Sequence, residues 1–254
     1  MEIVIIGTGN TATVLGRKLK AAGHVIVQVF GRNITAASEL AYELESESTT
    51  YWSVITRTAD LYLLAVSDIA IAEIIAELQL PDKTIVHTAA SVSKNILEPA
   101  TSHFGVLYPL QSLRKNVSYL PEIPVIIDAS DSDTLAQLLK LAGSISETVV
   151  QAGDNDRLKL HLAAVFCNNF VNHLFVLMQE YCAAEGLNFA LLKPLIHETI
   201  SRIDFIDPSD AQTGPAIRHD TATIKKHEAL LQNHPKLQQF YRLFTESIGQ
   251  QTDL

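Results

Sequence analysis

The chain opens on a β-branched run, Glu2-Ile3-Val4-Ile5-Ile6, that passes directly into Gly7-Thr8-Gly9-Asn10-Thr11-Ala12 and then into a segment with helical periodicity. A G-x-G-x-x-G/A pattern lodged between a strand and a helix constrains the fold more tightly than any other feature here. Gly7 permits the tight turn, Gly9 lets the backbone approach a pyrophosphate, and Ala12 lets the helix pack closely on the strand. Thr8, Asn10 and Thr11 complete the loop, and the helix N-terminus offers amides and a positive dipole to the anion. The bland alternative is a strand-to-helix turn that binds nothing.

The first half of the chain alternates short β-branched runs with amphipathic stretches, the βαβ rhythm of a parallel sheet. Strands are expected at residues 3–6, 25–30, 61–66, 84–87, 105–107 and 125–128, with a weaker one at 51–54 and a closing edge at 144–150. Helices are expected at residues 11–22, 36–45, 69–80 and 134–143. After about Gly153 the strand signal stops. Asp154 or Asn155 can cap a helix that runs to Glu185, with Gly186 where a C′ residue belongs. Such a helix is about 45 Å long and outruns a small domain, which points to an all-α domain or a dimer interface. Further helices follow at 189–203, 221–232 and 235–248, after and around a loop at 204–220. The expected fold is therefore α/β: a doubly wound Rossmann sheet over residues 1–150, then an all-α C-terminal domain over residues 151–254. A ligand cleft is expected between the two, and a homodimer through the C-terminal helices.

Composition narrows the partners. With 47% apolar and 19% charged residues the chain is not disordered, and 28 acidic against 19 basic residues give a net charge of −9 that repels a phosphate backbone. Nucleic acid is excluded as an expected partner. Cys167 and Cys182 lie about four turns apart on one helix, too far to pair, so they read as reduced core residues. No C-x-x-C pair occurs, and no metal site is expected. No uninterrupted apolar run reaches the 18 or so residues of a membrane helix, and no basic segment precedes an apolar one at the N-terminus, so a cytoplasmic protein away from membranes is expected.

The second strand ends in Phe30-Gly31-Arg32-Asn33, where an NAD site would carry a carboxylate for the ribose 2′-hydroxyl. The guanidinium of Arg32 can pair bidentately with a 2′-phosphate, and Asn33 or Thr35 can add a hydrogen bond, so NADP is the expected cofactor. A solvated surface arginine is the alternative. Ala65-Val66-Ser67 and His87-Thr88-Ala89-Ala90-Ser91 lie at the carboxyl ends of two later strands, where open α/β sheets bind ligands. His87 is either a catalyst or a packed histidine. Tyr108-Pro109-Leu110-Gln111-Ser112 follows another strand end and can loop over the cofactor. At 100° per residue, Asn168 and Asn172 fall within about 20° of His161, a polar stripe that serves either an active site or an internal helix network. Thr213-Gly214-Pro215-Ala216-Ile217-Arg218-His219-Asp220 is a rigid loop whose Arg218 can hold an anionic substrate group or pair with Asp220.

Taken together, the glycine loop, Ala65-Val66-Ser67, Tyr108-Pro109-Leu110-Gln111, Asn168-Asn169-Phe170 and Thr213-Gly214-Pro215 with Arg218 and Asp220 resemble a bacterial family of Rossmann-like proteins. Its members carry a helical C-terminal domain of unknown function and are described as NADP or deazaflavin-dependent oxidoreductases. The resemblance implies an NADP-binding domain akin to pyrroline-5-carboxylate reductase and the β-hydroxyacid dehydrogenases. Ala89-Ala90, Tyr108 and His219 depart from the serine-glycine, histidine and glycine usual in that family. β-Hydroxyacid dehydrogenases place a lysine and an asparagine on the first long helix after the Rossmann domain. The comparable region here offers His161 with Asn168 or Asn169, while Lys159 points elsewhere. The expected activity is NADP-dependent reduction of a small carbonyl or imine substrate. His161 would be the proton donor, Asn168 or Asn169 would orient the substrate, and Tyr108, Gln111, Thr213 and Arg218 would line its pocket. The competing readings are an NADP(H) sensor without turnover and hydride exchange with a deazaflavin.

Overall fold

The computed structural model describes residues 1–117 and 119–250. Its first part is a sheet of eight strands in the order β3-β2-β1-β4-β5-β6-β7-β8. The strands are β1 (Glu2–Ile6), β2 (Val25–Phe30), β3 (Glu47–Thr49), β4 (Leu61–Leu64), β5 (Thr84–His87), β6 (His103–Pro109), β7 (Val125–Ala129) and β8 (Val149–Gln151). Neighbouring strands are parallel except β6 and β7, which run antiparallel. Helices α1 (Asn10–Ala21), α2 (Ile34–Leu44), α3 (Ala70–Glu77) and α4 (Ser132–Ile145) connect them.

Side-chain alternation along β1 explains why the sheet is covered on both faces. Ile3 and Ile5 join one core cluster with Leu15, Leu40 and Leu138, whereas Val4 and Ile6 join a second with Ile71 and Ile75. A strand buried on both sides needs helices on both sides. The chain leaves β1 toward β2 and later returns to place β4 on the other flank of β1. That reversal makes a crevice at the carboxyl edge between β1 and β4, where doubly wound sheets hold their ligands.

Two strand expectations are corrected. Residues 52–54 form a 3₁₀ turn, and the strand paired with β2 is Glu47–Thr49. The Thr49 hydroxyl accepts from the Tyr51 amide at 3.1 Å and turns the chain out of the sheet, so that Trp52 stacks on Phe30 with ring centroids 3.8 Å apart. The closing strand starts only at Val149, because the apolar face of α4 continues through Leu138, Leu141 and Ala142 to the buried Ile145.

The chain divides into two compact units, Met1–Asn168 and Asn169–Leu254. From Asp154 to Ala184 it is helical throughout. This helix comprises α5 (Asp154–Ala164), a π-helical stretch (Val165–Phe170) and α6 (Val171–Ala184). It ends as its sequence suggests: Gly186 adopts φ 68° and the Leu187 amide donates to the Cys182 carbonyl at 2.7 Å. Then come α7 (Lys193–Arg202), α8 (Thr221–Leu230) and α9 (Pro235–Gln250).

Two expectations about this region change. Cys182 is buried, but Cys167 is exposed. The helix also contains an 18-residue stretch of mean hydropathy 1.4, long and apolar enough to cross a membrane, with 6% of that stretch buried. Asn168, Asn169 and Asn172 interrupt the apolar run without lowering its average below that of a span.

Candidate cofactor and active site

A cavity of about 740 Å³ lies at the β1/β4 crevice, walled by the loops after β1, β2 and β4 and by one face of α3. Gly7 holds φ 125°, and a Cβ there would sit 2.1 Å from the Ala65 carbonyl oxygen, so the chain itself demands glycine. Gly9 is different: a Cβ there would meet no atom within 4 Å. The space beside it is open to a ligand. Gly9 is also the N-cap of α1 and offers no side-chain cap. The first amides of α1 therefore keep free donors facing the cavity mouth. Ala12 is fully buried beneath the loop.

Asn10 also lines the cavity, and its side chain braces a neighbouring segment. Its side-chain oxygen accepts from the Lys115 amide at 3.1 Å, and Arg17 donates to the Lys115 carbonyl at 2.8 Å, which ties the segment after β6 onto α1. Gly31 lets the end of β2 pass close to Thr8, since a Cβ would lie 2.6 Å from the threonine methyl. Arg32 is exposed on the cavity wall and makes no hydrogen bond or ion pair among the described residues. Asn33 caps α2 by accepting from the Ala36 amide at 2.9 Å, which leaves its NH₂ as the group able to donate. Ala65, Val66 and Ser67 line the same cavity, as do Thr8 and Thr11. Open space at Gly9, uncapped helix amides and an unpaired guanidinium fit the diphosphate and 2′-phosphate of NADP.

The ends of β5 and β6 form a second cluster. Thr88 and Ala89 are 8% and 6% exposed and lie beneath the surface, the Thr88 amide donating to the Leu64 carbonyl at 3.1 Å. His87 is fully buried, and its Nδ1 accepts from the Ala89 amide at 3.2 Å. Burial, reinforced by the charge of Arg157, pushes its pKa down to about 4, so it is a neutral packed histidine.

Arg157 on α5 is a functional candidate that the sequence reading missed. It is fully buried; its Nε donates to the Ala90 carbonyl at 3.1 Å and one terminal nitrogen to the Val92 carbonyl at 2.6 Å and the Asp154 carboxylate at 2.8 Å. It thereby clamps the loop after β5. The only available signal was spacing, since Asp154, Arg157 and His161 share one face of α5. On that face His161 meets β6: its Nδ1 lies 3.0 Å from the Tyr108 hydroxyl. Tyr108 is 8% exposed, and burial raises its pKa against the opposing pull of Arg157. Lys159 pairs instead with Asp156 at 3.1 Å on the exposed face.

The π stretch alters the helix stripe. A π turn takes one residue more than an α turn, so the 100° spacing of an α-helix does not describe the stretch that holds Asn168 and Asn169. Gln111 holds its own loop, donating to the Glu122 carbonyl at 3.1 Å and accepting from the Ser112 amide at 2.8 Å. In the second unit, the Thr213 carbonyl accepts from Gln212 at 2.8 Å, and Asp220 caps α8 by accepting from the Thr223 amide at 3.0 Å. Hydrogen bonds from Thr223 lower the Asp220 pKa, and Arg218 adds a through-space contribution without a direct ion pair among the described residues.

The doubly wound sheet and its glycine loop define a Rossmann-type dinucleotide-binding protein. Residues 2–91 match the model of the NADP oxidoreductase, coenzyme F420-dependent family, and residues 123–248 match a domain of unknown function, DUF2520. A candidate NADP oxidoreductase from Bacteroides fragilis is 38% identical over 98% of both chains, with a TM-score of 0.90. The chain belongs to this family of NADP oxidoreductase domains followed by a helical domain of unknown function. Two more distant structures share the fold. Pyrroline-5-carboxylate reductase from Streptococcus pyogenes is 15% identical over 98% of both chains, TM-score 0.68. The Aspergillus terreus reductive aminase, solved with NADPH and ethyl-5-oxohexanoate, is 14% identical over 98% of this chain and 95% of its own, TM-score 0.72. No functionally curated protein matches the sequence.

Proposed function

We propose that the protein is an NADPH-dependent reductase of a small carbonyl or imine compound. Residues 1–150 would bind the cofactor and residues 151–254 would serve substrate binding and dimerisation. The observation that carries the reading is Arg32, a cation left without a partner among the described residues, beside an uncapped α1 and at a strand end that has no carboxylate to refuse a 2′-phosphate. The α1 amides and Gly9 hold the diphosphate. Thr8, Gly31 and Asn33 border the adenosine end, and Ala65, Val66 and Ser67 border the path toward the nicotinamide. When bound, the reduced nicotinamide supplies a hydride to the substrate carbon. His161 donates the proton that the substrate oxygen or nitrogen then needs, the role to which an imidazole is suited near neutral pH. Arg157 keeps the loop after β5 in place, Asn168 or Asn169 orients the substrate, and Tyr108, Gln111, Thr213 and Arg218 remain its proposed surroundings.

The test is a screen of purified protein with NADPH against keto acids, aldehydes, cyclic imines and an oxidised deazaflavin. Oxidation of NADPH by a carbonyl or imine supports the reading. Tight NADPH binding without oxidation by any of them would favour an NADP(H) sensor, and oxidation by the deazaflavin alone would make that coenzyme the hydride partner.

A homodimer belongs to the same proposal. Among the described residues the three core clusters contain none beyond Ala152, and in the second unit the buried apolar side chains are Leu177, Cys182 and Ala216. A body of that size needs its apolar faces covered. Polar residues such as Asn168, Asn172, His173 and Gln179 recur along the long helix, which favours a second protein surface over lipid. Neither membrane nor nucleic acid is proposed as a partner. Sedimentation at micromolar concentration should give a dimer; a monomer alone would contradict the proposal.

A further inference from the structure

We propose that Tyr108 is the source of the transferred proton, with His161 passing it on, so that phenol and imidazole act as one relay. This rests on the reading of His161 as the donor to substrate. The two groups are 3.0 Å apart, oxygen to Nδ1. Tyr108 has one hydrogen-bond partner through its hydroxyl among the described residues, and that partner is His161. If the imidazole were the donor, the phenolic proton would be left without an acceptor on a side chain only 8% exposed, a costly arrangement. The phenol therefore donates, Nδ1 accepts, and the neutral imidazole carries its own proton on Nε2. His161 is half-buried, and the relay requires that this second nitrogen be the one that meets the substrate.

The chemistry needs such a pair. Alone, an imidazole is an effective acid only while it holds two protons, below about pH 7. In the relay the substrate carbon receives hydride from the reduced nicotinamide, and the electron pair of its C=O or C=N bond moves to the oxygen or nitrogen. That atom takes the Nε2 proton of His161, and Nδ1 takes the phenolic proton in the same movement. The negative charge comes to rest on the Tyr108 oxygen and is discharged by a proton from water. His161 is neutral before and after. Burial on balance holds the Tyr108 pKa up, so the phenolate is short-lived and quickly reprotonated; the buried cation Arg157 on α5 offsets part of that cost, Asp154 is engaged with Arg157, and His87 on β5 is neutral. Asp68, after β4, accepts a hydrogen bond from Ser91.

Two measurements test the relay. The first needs no turnover: ¹⁵N NMR of the His161 ring in the free protein should show the Nε2–H form alone, and in Tyr108→Phe an exchanging mixture of both forms. An Nδ1–H ring in the wild type, or no change in the variant, would overturn the proposal. The second is the pH profile of kcat with the substrate found by the screen. Wild type should keep its activity toward alkaline pH, Tyr108→Phe should lose it progressively as pH rises, and a fluorotyrosine at position 108 should restore the level region with an earlier alkaline fall. Parallel wild-type and Tyr108→Phe profiles would overturn the relay while leaving His161 as donor. Unchanged kcat in His161→Ala would overturn the donor role itself, so the two failures are distinct.

Discussion

His87 gives the stability of this fold a specific pH dependence. The imidazole is fully buried, and burial lowers its pKa from the ordinary 6.5 to about 4. Because the folded value lies below the unfolded one, the unfolded chain binds more protons between these limits, and stability rises with pH across that window. Above about pH 6.5 both states are neutral and nothing is lost. As pH falls toward 4, protonation of the unfolded state alone costs the native state about 3 kcal/mol, at roughly 1.4 kcal/mol for each pH unit of that window. His87→Asn removes the titration while its side-chain oxygen can still accept from the Ala89 amide. The smaller side chain leaves a void whose cost does not vary with pH. Urea unfolding of both proteins from pH 7.5 to 4 separates the two effects. The difference between wild type and variant should shrink by about 3 kcal/mol on the way down. His24, whose pKa burial also lowers, titrates alike in both proteins and cancels. A difference constant across the range would refute the neutral, packed histidine.

Three further outcomes follow from the glycine loop and its surroundings. Gly7→Ala places a Cβ 2.1 Å from the Ala65 carbonyl at φ 125°, so thermal unfolding should report a loss of about 3 kcal/mol or more. A Cβ at Gly9 meets no atom within 4 Å, so Gly9→Val should melt close to wild type yet fail to bind either dinucleotide in calorimetry; retained binding would show that the diphosphate lies elsewhere. Trp52 is the chain's one tryptophan and lines the cofactor cavity, so NADPH should quench its emission in a saturable titration, and an unaltered spectrum at saturation would count against this cavity.

The parts of this molecule that were legible in its sequence are those encoded locally. β1 and its loop announce themselves because period-two burial, the tight turn and the first helix all lie within a dozen residues. Arg32 could be noticed because a carboxylate is missing at a fixed place. What escaped depends on residues distant in the chain. Arg157 looks like a surface residue until the loop after β5, 65 to 67 positions away, brings carbonyls to it. The Tyr108–His161 pair joins β6 to α5 across 53 positions. Asn10 and Gln111 carry side chains suited to a ligand, and their hydrogen bonds to distant loop segments could not be read from the sequence. The π stretch at Val165–Phe170, which holds Asn168 and Asn169, has no pattern that separates it from an α-helix.

The most direct test of the account is calorimetric titration of wild type and Arg32→Ala with NADPH and NADH. If the unpaired guanidinium on the cavity wall meets the 2′-phosphate, wild type binds NADPH more tightly, and the variant loses about 1.5–3 kcal/mol, roughly 10- to 150-fold, for NADPH alone. A wild type that prefers NADH, or an equal loss for both cofactors, would contradict it.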